Sequence, residues 1–513
     1  MKRMMLKFYQ TTLLVCSLIT CFQSLKAQVP DSTFGSYGKV YTLFGNATSH
    51  LESSLLLSDG KILSAGWNGN TTLAVLVTRH LPDGSPDSSL NGTGSLQFSF
   101  GFTYEDAFTL LELDGGRFAV AGSSFGNAAI AVFKSNGEFD STFNNNGRKT
   151  FSFGQGNGSR VESLILQDDG KLVLAGRAYN GNDFDFMLCR IKPDGSSDSS
   201  FNGLGQALYK LSDQNDFGMS AGFQSNGRII LGGFSKDVGG VNRFAVIRVK
   251  TNGEIDSSFA QDGIFIWQLS DVNDEIESID IDTEDRIVVA GLSNQDMITF
   301  RLTVNGQLDQ DFNQTGYVLT DFNGNADRAY AVKIMENGNI LSAGWITTNF
   351  GNNDFACVNL LPDGTANQLF GVDGKFSYEM GSGGSWVKEI LVQDDEKIIL
   401  CGQASIVQGG YGHFALLRLN KPEFVGNTSL QPTRPTFQIY PNPAQYYLDF
   451  RLADTSDSFI TARIMDISGK EILEFNPALN QRIDLTSFAS GTYIIQVQSA
   501  QYSSISRFLV LPR

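Results

Sequence analysis

The chain has 513 residues, 41% of them hydrophobic, with 39 Phe, 54 Gly and a formal charge of −16. That length and apolar content exclude a disordered chain and leave room for more than one domain. The acidic surplus repels phosphate backbones and anionic lipid, which argues against nucleic acid and membrane surfaces as partners.

Residues 1–27 read as a secretory signal peptide. Lys2, Arg3 and Lys7 form a basic start, and residues 13–22 form an apolar run too short to span a bilayer. Removal after Ala27 takes four positive charges with it, Lys26 included, and leaves a mature chain near about −20. Cys16 and Cys21 also leave. Cys189, Cys357 and Cys401 each sit in an apolar run and read as buried single thiols, not as a disulfide framework.

Residues 28–420 carry a seven-fold repeat of about 55 residues, a period that means a stacked or ring-shaped architecture. The first motif is DSTFG at Asp31, with later copies at Asp87, Asp140, Asp198, Asp256, Asp309 and a neutral NQLFG at Asn367. The second is DGKILSAG ending at Gly66, and it returns at Gly122, Gly176, Gly233, Gly291, Gly344 and Gly402. The third is an apolar strand bearing Arg79, Arg190, Arg248, Arg301 or Arg418, with Val132 and Asn359 in the two odd copies. Within the first copy, strands are predicted at 38–44, 51–57, 61–67 and 73–81, separated by Asp-Gly hairpin turns. Four antiparallel strands repeated seven times predict an all-β fold, a seven-bladed β-propeller. The 51–57 strand is expected innermost, and the 38–44 strand is expected to complete the last blade and close the ring. Small residues ending the second motif are expected to let one blade pack closely on the next. The motif Asp and Ser should hold their own turn while the Phe plugs between blades, and the repeated arginines should pair with turn acids or carbonyls.

These motifs resemble the delta-60 family of bacterial β-propeller repeats, which carries no common reaction, so the resemblance implies shape alone. After the Pro-rich linker at 421–436, residues 437–513 alternate as strands of a small immunoglobulin-like β-sandwich. Tyr440-Pro441-Asn442-Pro443, Asp466-Ile467-Ser468-Gly469-Lys470, Gly491-Thr492-Tyr493-Ile494 and Phe508-Leu509-Val510 resemble the C-terminal sorting domain of type IX secretion. The resemblance implies contact with that secretion machinery, export across the outer membrane, and a secreted or cell-surface product without a membrane span.

No catalytic motif accompanies this organisation. The only histidines, His50, His80 and His413, sit in no repeated motif, and HExxH, CxxC and phosphate loops are absent. A non-catalytic propeller binding an extracellular glycan or protein is therefore expected, with a polysaccharide-degrading enzyme using channel carboxylates as the alternative. Two loop families, one before each inner strand and one after each AG, vary most between copies and should form the ligand face. On them lie the ligand-binding candidates His50, Tyr179, Phe217, Trp386 and Tyr411. Trp67 and Trp345, directly after AG, read instead as packing between blades. Calcium is the one cofactor the spacing admits: Asp321, Asn323, Asn325 and Asp327 alternate like a calcium loop but lack its Gly and its bidentate Glu.

Overall fold

The computed structural model describes residues 28–45, 47–69, 74–101, 105–153, 158–322, 324–348, 351–406, 410–421, 437–440, 444–452, 461–466, 470–475, 480–498 and 503–511. The signal peptide, nearly all of the linker and Asn323 lie outside them. The chain divides into two compact units, Met1–Phe424 and Val425–Arg513.

Among the described residues the first unit holds seven four-stranded antiparallel sheets, here numbered I to VII in chain order. Sheet IV is typical: Asp216–Phe223, Ile229–Lys236, Asn242–Val249 and Ile264–Trp267, paired in that order. The first strands of all seven sheets neighbour one another in an unbroken cycle, which makes the unit propeller-like. Sheet VII joins the two ends of the domain, because Lys39–Thr42 pairs with Gly412–Leu419 as its fourth strand. That pairing is the one expected for the 38–44 segment, and it removes two sheet edges. No α-helix occurs among the described residues; a three-residue 3-10 turn, Asp114–Gly116, is the only helical element.

The Asp and Arg motifs form a clasp from each sheet to the next. In sheet IV, Arg248 Nε donates to Asp256 at 2.8 Å, its Nη2 to Ser258 Oγ at 2.9 Å, and its Nη1 to the Val304 carbonyl of sheet V at 2.8 Å. The guanidinium lies over Phe259, which is fully buried. Arg79, Arg190, Arg301 and Arg418 repeat this clasp onto the carbonyls of Ser135, Thr251, Pro362 and Pro82. In sheet II, where Val132 stands in place of the arginine, Arg117 reaches Asp140 at 3.0 Å from the neighbouring strand. In sheet VI the acid and its partner are both amides, Asn367 Nδ2 donating to Asn359 Oδ1 at 3.3 Å. The two exchanges go together, so neither a guanidinium nor a carboxylate is buried there without its counter-charge.

The structure reassigns the glycine of the second motif. A Cβ at any of the seven glycines would lie 1.8 to 2.1 Å from a backbone carbonyl of the same sheet's first strand, as at Gly233 against Phe217 O. Each such strand carries a β-bulge at this point, in sheet IV between Gly218 and Ser220. The glycine therefore admits the bulge within its own sheet. Packing between sheets falls to the preceding small residue, as at Gly232, whose absent Cβ would meet Ile279 of sheet V at 2.8 Å. Cys401 holds that position in sheet VII, and all three cysteines are buried free thiols as the sequence predicts.

Among the described residues of the second unit, seven strands form a three-stranded sheet, Phe437–Tyr440, Tyr447–Leu452 and Asn480–Asp484, and a four-stranded one. Leu448, Phe450 and Ile483 of the first share one core with Ile464, Ile495, Val497 and Phe508 of the second.

The clasp makes a direct prediction. Asp256→Ala removes the carboxylate from two guanidinium groups, Arg248 and Arg228, and should lower unfolding free energy by about 3 kcal/mol. Asn367→Ala breaks a neutral amide pair and the turn bond from Leu369 N, and should cost about 1 kcal/mol. Urea unfolding followed by tryptophan fluorescence measures both, and equal losses would show that the charged clasp adds nothing.

Candidate functional site

The bulges decide what faces the axis of the ring. Because each bulge inserts one residue, two neighbouring side chains of the first strand turn toward the channel instead of alternating away from it. Residues at the bulge are Glu52, Phe108, Glu162, Met219, Glu277, Tyr330 and Lys388, and they line a polar cavity of about 180 Å³. One residue further along come Ser53, Thr109, Ser163, Ser220, Ser278, Ala331 and Glu389. Two residues before the bulge lie His50, Asp106, Arg160, Phe217, Glu275, Arg328 and Trp386, nearer the loop face.

Opposite charges are matched around this wall. Lys388 Nζ lies 3.0 Å from Glu52, which also accepts from Trp67 Nε1 at 3.1 Å. Glu162 meets Arg160 at 2.8 Å and Arg177 at 3.6 Å. Arg328 bridges Glu275, at 2.5 Å, and Glu277. Burial pushes the Glu277 carboxyl upward, and the Arg328 guanidinium opposes that shift. Aromatic faces cover the cations: Arg160 lies 3.3 Å above the Phe108 centroid and Lys388 4.2 Å from that of Tyr330.

The serines one residue past the bulge tie the first strands together. Ser163 Oγ accepts from Ala221 N at 3.2 Å and Ser220 Oγ from Ile279 N at 3.1 Å, each across a sheet boundary. Sheet VI has Ala331 at this place and offers no hydroxyl, so the amide of Ile390 is met by Glu389 Oε1 of its own strand at 3.2 Å. Burial raises the Glu389 carboxyl to about 7, and no Lys or Arg among the described residues forms an ion pair with it.

The five ligand-binding candidates fall into two groups. Tyr179, at the end of Leu172–Tyr179, meets Phe184 edge-on at 5.5 Å, and Phe184 lies 5.5 Å from Phe217, which reaches Phe234 at 5.0 Å. Arg177 sits over the Phe217 ring at 4.7 Å. Across the ring at the boundary of sheets VII and I, Trp386 is directly opposite Gln403. His50 stacks on Trp67 at 3.9 Å, and burial lowers its pKa. Tyr411 is 51% exposed beside Gly412, whose carbonyl accepts from Ser49 Oγ at 3.2 Å. His50, Phe217 and Trp386 lie within their strands and not in the preceding loops, because those strands open with the buried polar residues Ser49, Asp216 and Ser385. Trp67 stacks on His50 and donates to Glu52 of its own sheet.

The charged channel residues are absent from the candidates read in the sequence. Their signal is an adjacent polar pair that breaks the two-residue alternation, as in Glu52-Ser53, Glu162-Ser163 and Glu277-Ser278.

In the calcium-like loop, Asp321 Oδ1 accepts from Gly324 N at 2.5 Å and Asn325 Nδ2 donates to the Thr347 carbonyl at 3.2 Å, while Asp327 is buried at the start of Asp327–Ile334. Asn323 lies outside the described residues.

Glu389 gives a pH prediction. Its folded pKa of about 7 stands above the ordinary 4.5, so between these values the folded chain keeps a proton that the unfolded chain has lost. Stability should therefore fall as pH rises from 4.5 to about 7, and Glu389→Gln should remove that part of the slope. Urea unfolding of both proteins across this window measures the difference; parallel profiles would show that Glu389 does not titrate there.

Residues 438–511 match the secretion system C-terminal sorting domain. Residues 57–90, 167–201 and 224–259 match DUF5122, a β-propeller domain of unknown function. No curated protein matches the chain. Similar solved structures include a protein of unknown function from Bacteroides caccae, with 12% identity over 57% of this chain and 83% of that one and a TM-score of 0.35. A putative oxidoreductase (glucose dehydrogenase) from Thermus thermophilus has 11% identity, coverage of 74% and 99%, and a TM-score of 0.36. The β-propeller domain of the Trilobed protease from Pyrococcus furiosus has 8% identity, the same coverage, and a TM-score of 0.37. Likeness at this level assigns no activity. The sorting domain implies interaction with the type IX secretion machinery and indicates secretion with attachment at the outer cell surface. Among the described residues no helix is long and apolar enough to cross a membrane. The chain is thus a secreted protein in which β-propeller repeats of the DUF5122 kind, consistent with the delta-60 pattern, precede a type IX C-terminal sorting domain.

Proposed function

We propose that the seven sheets are the blades of a closed seven-bladed propeller over residues 28–420, joined by the linker 421–436 to an immunoglobulin-like sorting sandwich at 437–513. On this reading the propeller is a non-catalytic binder of an extracellular glycan or protein, displayed at the cell surface or released. Its ligand meets the face where the first strands begin and the second strands end. The observation that carries the reading is the contrast between wall and mouth. Most carboxylates of the channel wall are held by their own cation, whereas aromatic side chains gather at two places on the mouth, around Phe217 and around Trp386. Aromatic faces beside hydroxyl, amide and carboxylate groups suit sugar rings, which present apolar faces and hydroxyls together.

The hydrolase alternative rests on Asp106 and Glu389, the channel carboxyls that burial raises and that no cation pairs with at close range. They stand on strands of different sheets, with Asp106 before its bulge and Glu389 after its own.

A glycan array run beside a hydrolysis screen on the purified protein separates the two readings. Trp386→Ala with Tyr411→Ala should weaken capture about tenfold, roughly 1.4 kcal/mol, while leaving the melting temperature within a few degrees. Unchanged capture would return both residues to the scaffold, and turnover lost in Glu389→Gln would favour the enzyme. Deleting 437–513 should strand the propeller in the periplasm, and its normal appearance in the medium would contradict the sorting role.

A further inference from the structure

Sheet III puts two arginines side by side where its first strand begins. Arg160 opens that strand, Arg160–Leu166, and stands directly opposite Arg177 on the second strand, Leu172–Tyr179. Both guanidinium groups turn to one carboxylate. Glu162 lies 2.8 Å from Arg160 Nε and 3.6 Å from Arg177 Nη1. Among the described residues neither arginine forms an ion pair with any other acid. Asp106 and Glu277 act on the two from beyond that range, and Glu277 already pairs with Arg328.

The clasp arginines are different. Arg248 commits its donors to Asp256, Ser258 and the Val304 carbonyl. By contrast, no hydrogen bond to a described residue engages the Arg177 guanidinium, and Arg160 Nε approaches Glu162 without the alignment of a hydrogen bond. Both side chains stay open to solvent, 21% for Arg177 and 31% for Arg160, while that of Glu162 is 6% exposed. Burial lowers the Arg177 pKa, Glu162 opposes that shift, and Arg160 adds to it. Two cations thus share one anion, with donors to spare. The chain as a whole is acidic, but charges beyond about 8 Å are screened at physiological salt, so the local pair decides what binds here.

Aromatic rings frame the pair. Arg160 lies over Phe108, and Arg177 lies 4.7 Å from the centroid of Phe217. Tyr179 stands two residues past Arg177, on the same face of the strand, and continues the group through Phe184 to Phe217 and Phe234. All four rings are half-buried.

We infer that Arg177, with Arg160 beside it, is a carboxylate subsite, and that the glycan met at this face is an acidic one whose sugars carry carboxylates. The inference rests on the glycan reading above and names its chemical class. A guanidinium matches a carboxylate with two parallel N–H donors, a fit that a neutral sugar hydroxyl does not repeat. The aromatic group then takes the apolar face of the same sugar. Arg160 still holds Glu162 when a ligand engages Arg177, so binding strands no buried acid.

Polygalacturonate, alginate and hyaluronan, each beside its carboxyl-reduced neutral form, serve as probes for capture by the full mature protein. The expected result is capture of at least one acid polymer, about tenfold stronger than that of its reduced form. Arg177→Gln should erase this preference and leave the melting temperature within a few degrees, because Arg160 remains paired with Glu162. Arg177→Lys keeps the charge without the planar fork, so it should retain the fold and only part of the preference. Reduced forms captured as well as the acids, or a preference undiminished in either variant, would overturn the subsite and leave the glycan reading standing. Capture of none of the six polymers would also overturn it, with the glycan array then judging the wider reading by itself.

Discussion

The close approach of a backbone carbonyl to a glycine, repeated seven times, is the constraint on which the functional part of this molecule depends. At each copy of the second motif the carbonyl of a first-strand residue occupies the space a Cβ would need. The approach admits a bulge, and the bulge turns an extra side chain toward the axis. A glycine that reads as a packing device therefore sets the register of the channel wall. Scaffold and site are separated by one residue: the glycine is invariant among the copies, while the bulged residue opposite ranges from Glu277 to Met219 to Lys388.

Variation at the bulge follows charge as well as shape. Most acids of the narrow wall have a cation within reach, from their own strand as with Arg160 and Glu162, or from a neighbouring sheet as with Lys388 and Glu52, with Glu389 the exception. Pairing of this kind offsets the desolvation of each charge without adding much net stability, so the wall behaves as a neutralised polar lining. The clasps between sheets obey the same rule. In sheet VI the arginine and the acid are exchanged together for Asn359 and Asn367, and no buried charge is stranded. Electrostatic matching inside leaves the aromatic groups at the mouth as the surface on which the ligand reading rests.

The ring and its closure were legible in the sequence because they rest on features shared by all copies: the period, the Asp-Gly turns, and the Asp, Phe and Arg of the clasp. The role of the strand Lys39–Thr42 followed from the phase of that repeat. Side chains at the axis were harder to read, since a bulge breaks the two-residue alternation by which buried and exposed faces are told apart. His50, Phe217 and Trp386 were picked out as aromatic residues near a strand start, whereas Glu52, Glu162 and Lys388 were not among the candidates. The stack of Trp67 on His50 had no counterpart in the motif, where Phe234 and Leu292 hold the same place. In the calcium-like loop the spacing pointed to Asp321, Asn323, Asn325 and Asp327, whereas the bonds of Asp321 to Gly324 N and of Asn325 to the Thr347 carbonyl had no signal there.

The central claim is that recognition sits on the face where the bulged strands begin, on a scaffold held by motifs at the other face. Hydrogen exchange with and without the best ligand from a glycan array measures this most directly. The account predicts slowed exchange in the amides of 178–185, 211–217, 379–386 and 410–412, with no change at the clasp turns 82–85, 135–138 and 252–254. Protection confined to those turns would place the ligand on the opposite face and contradict the account.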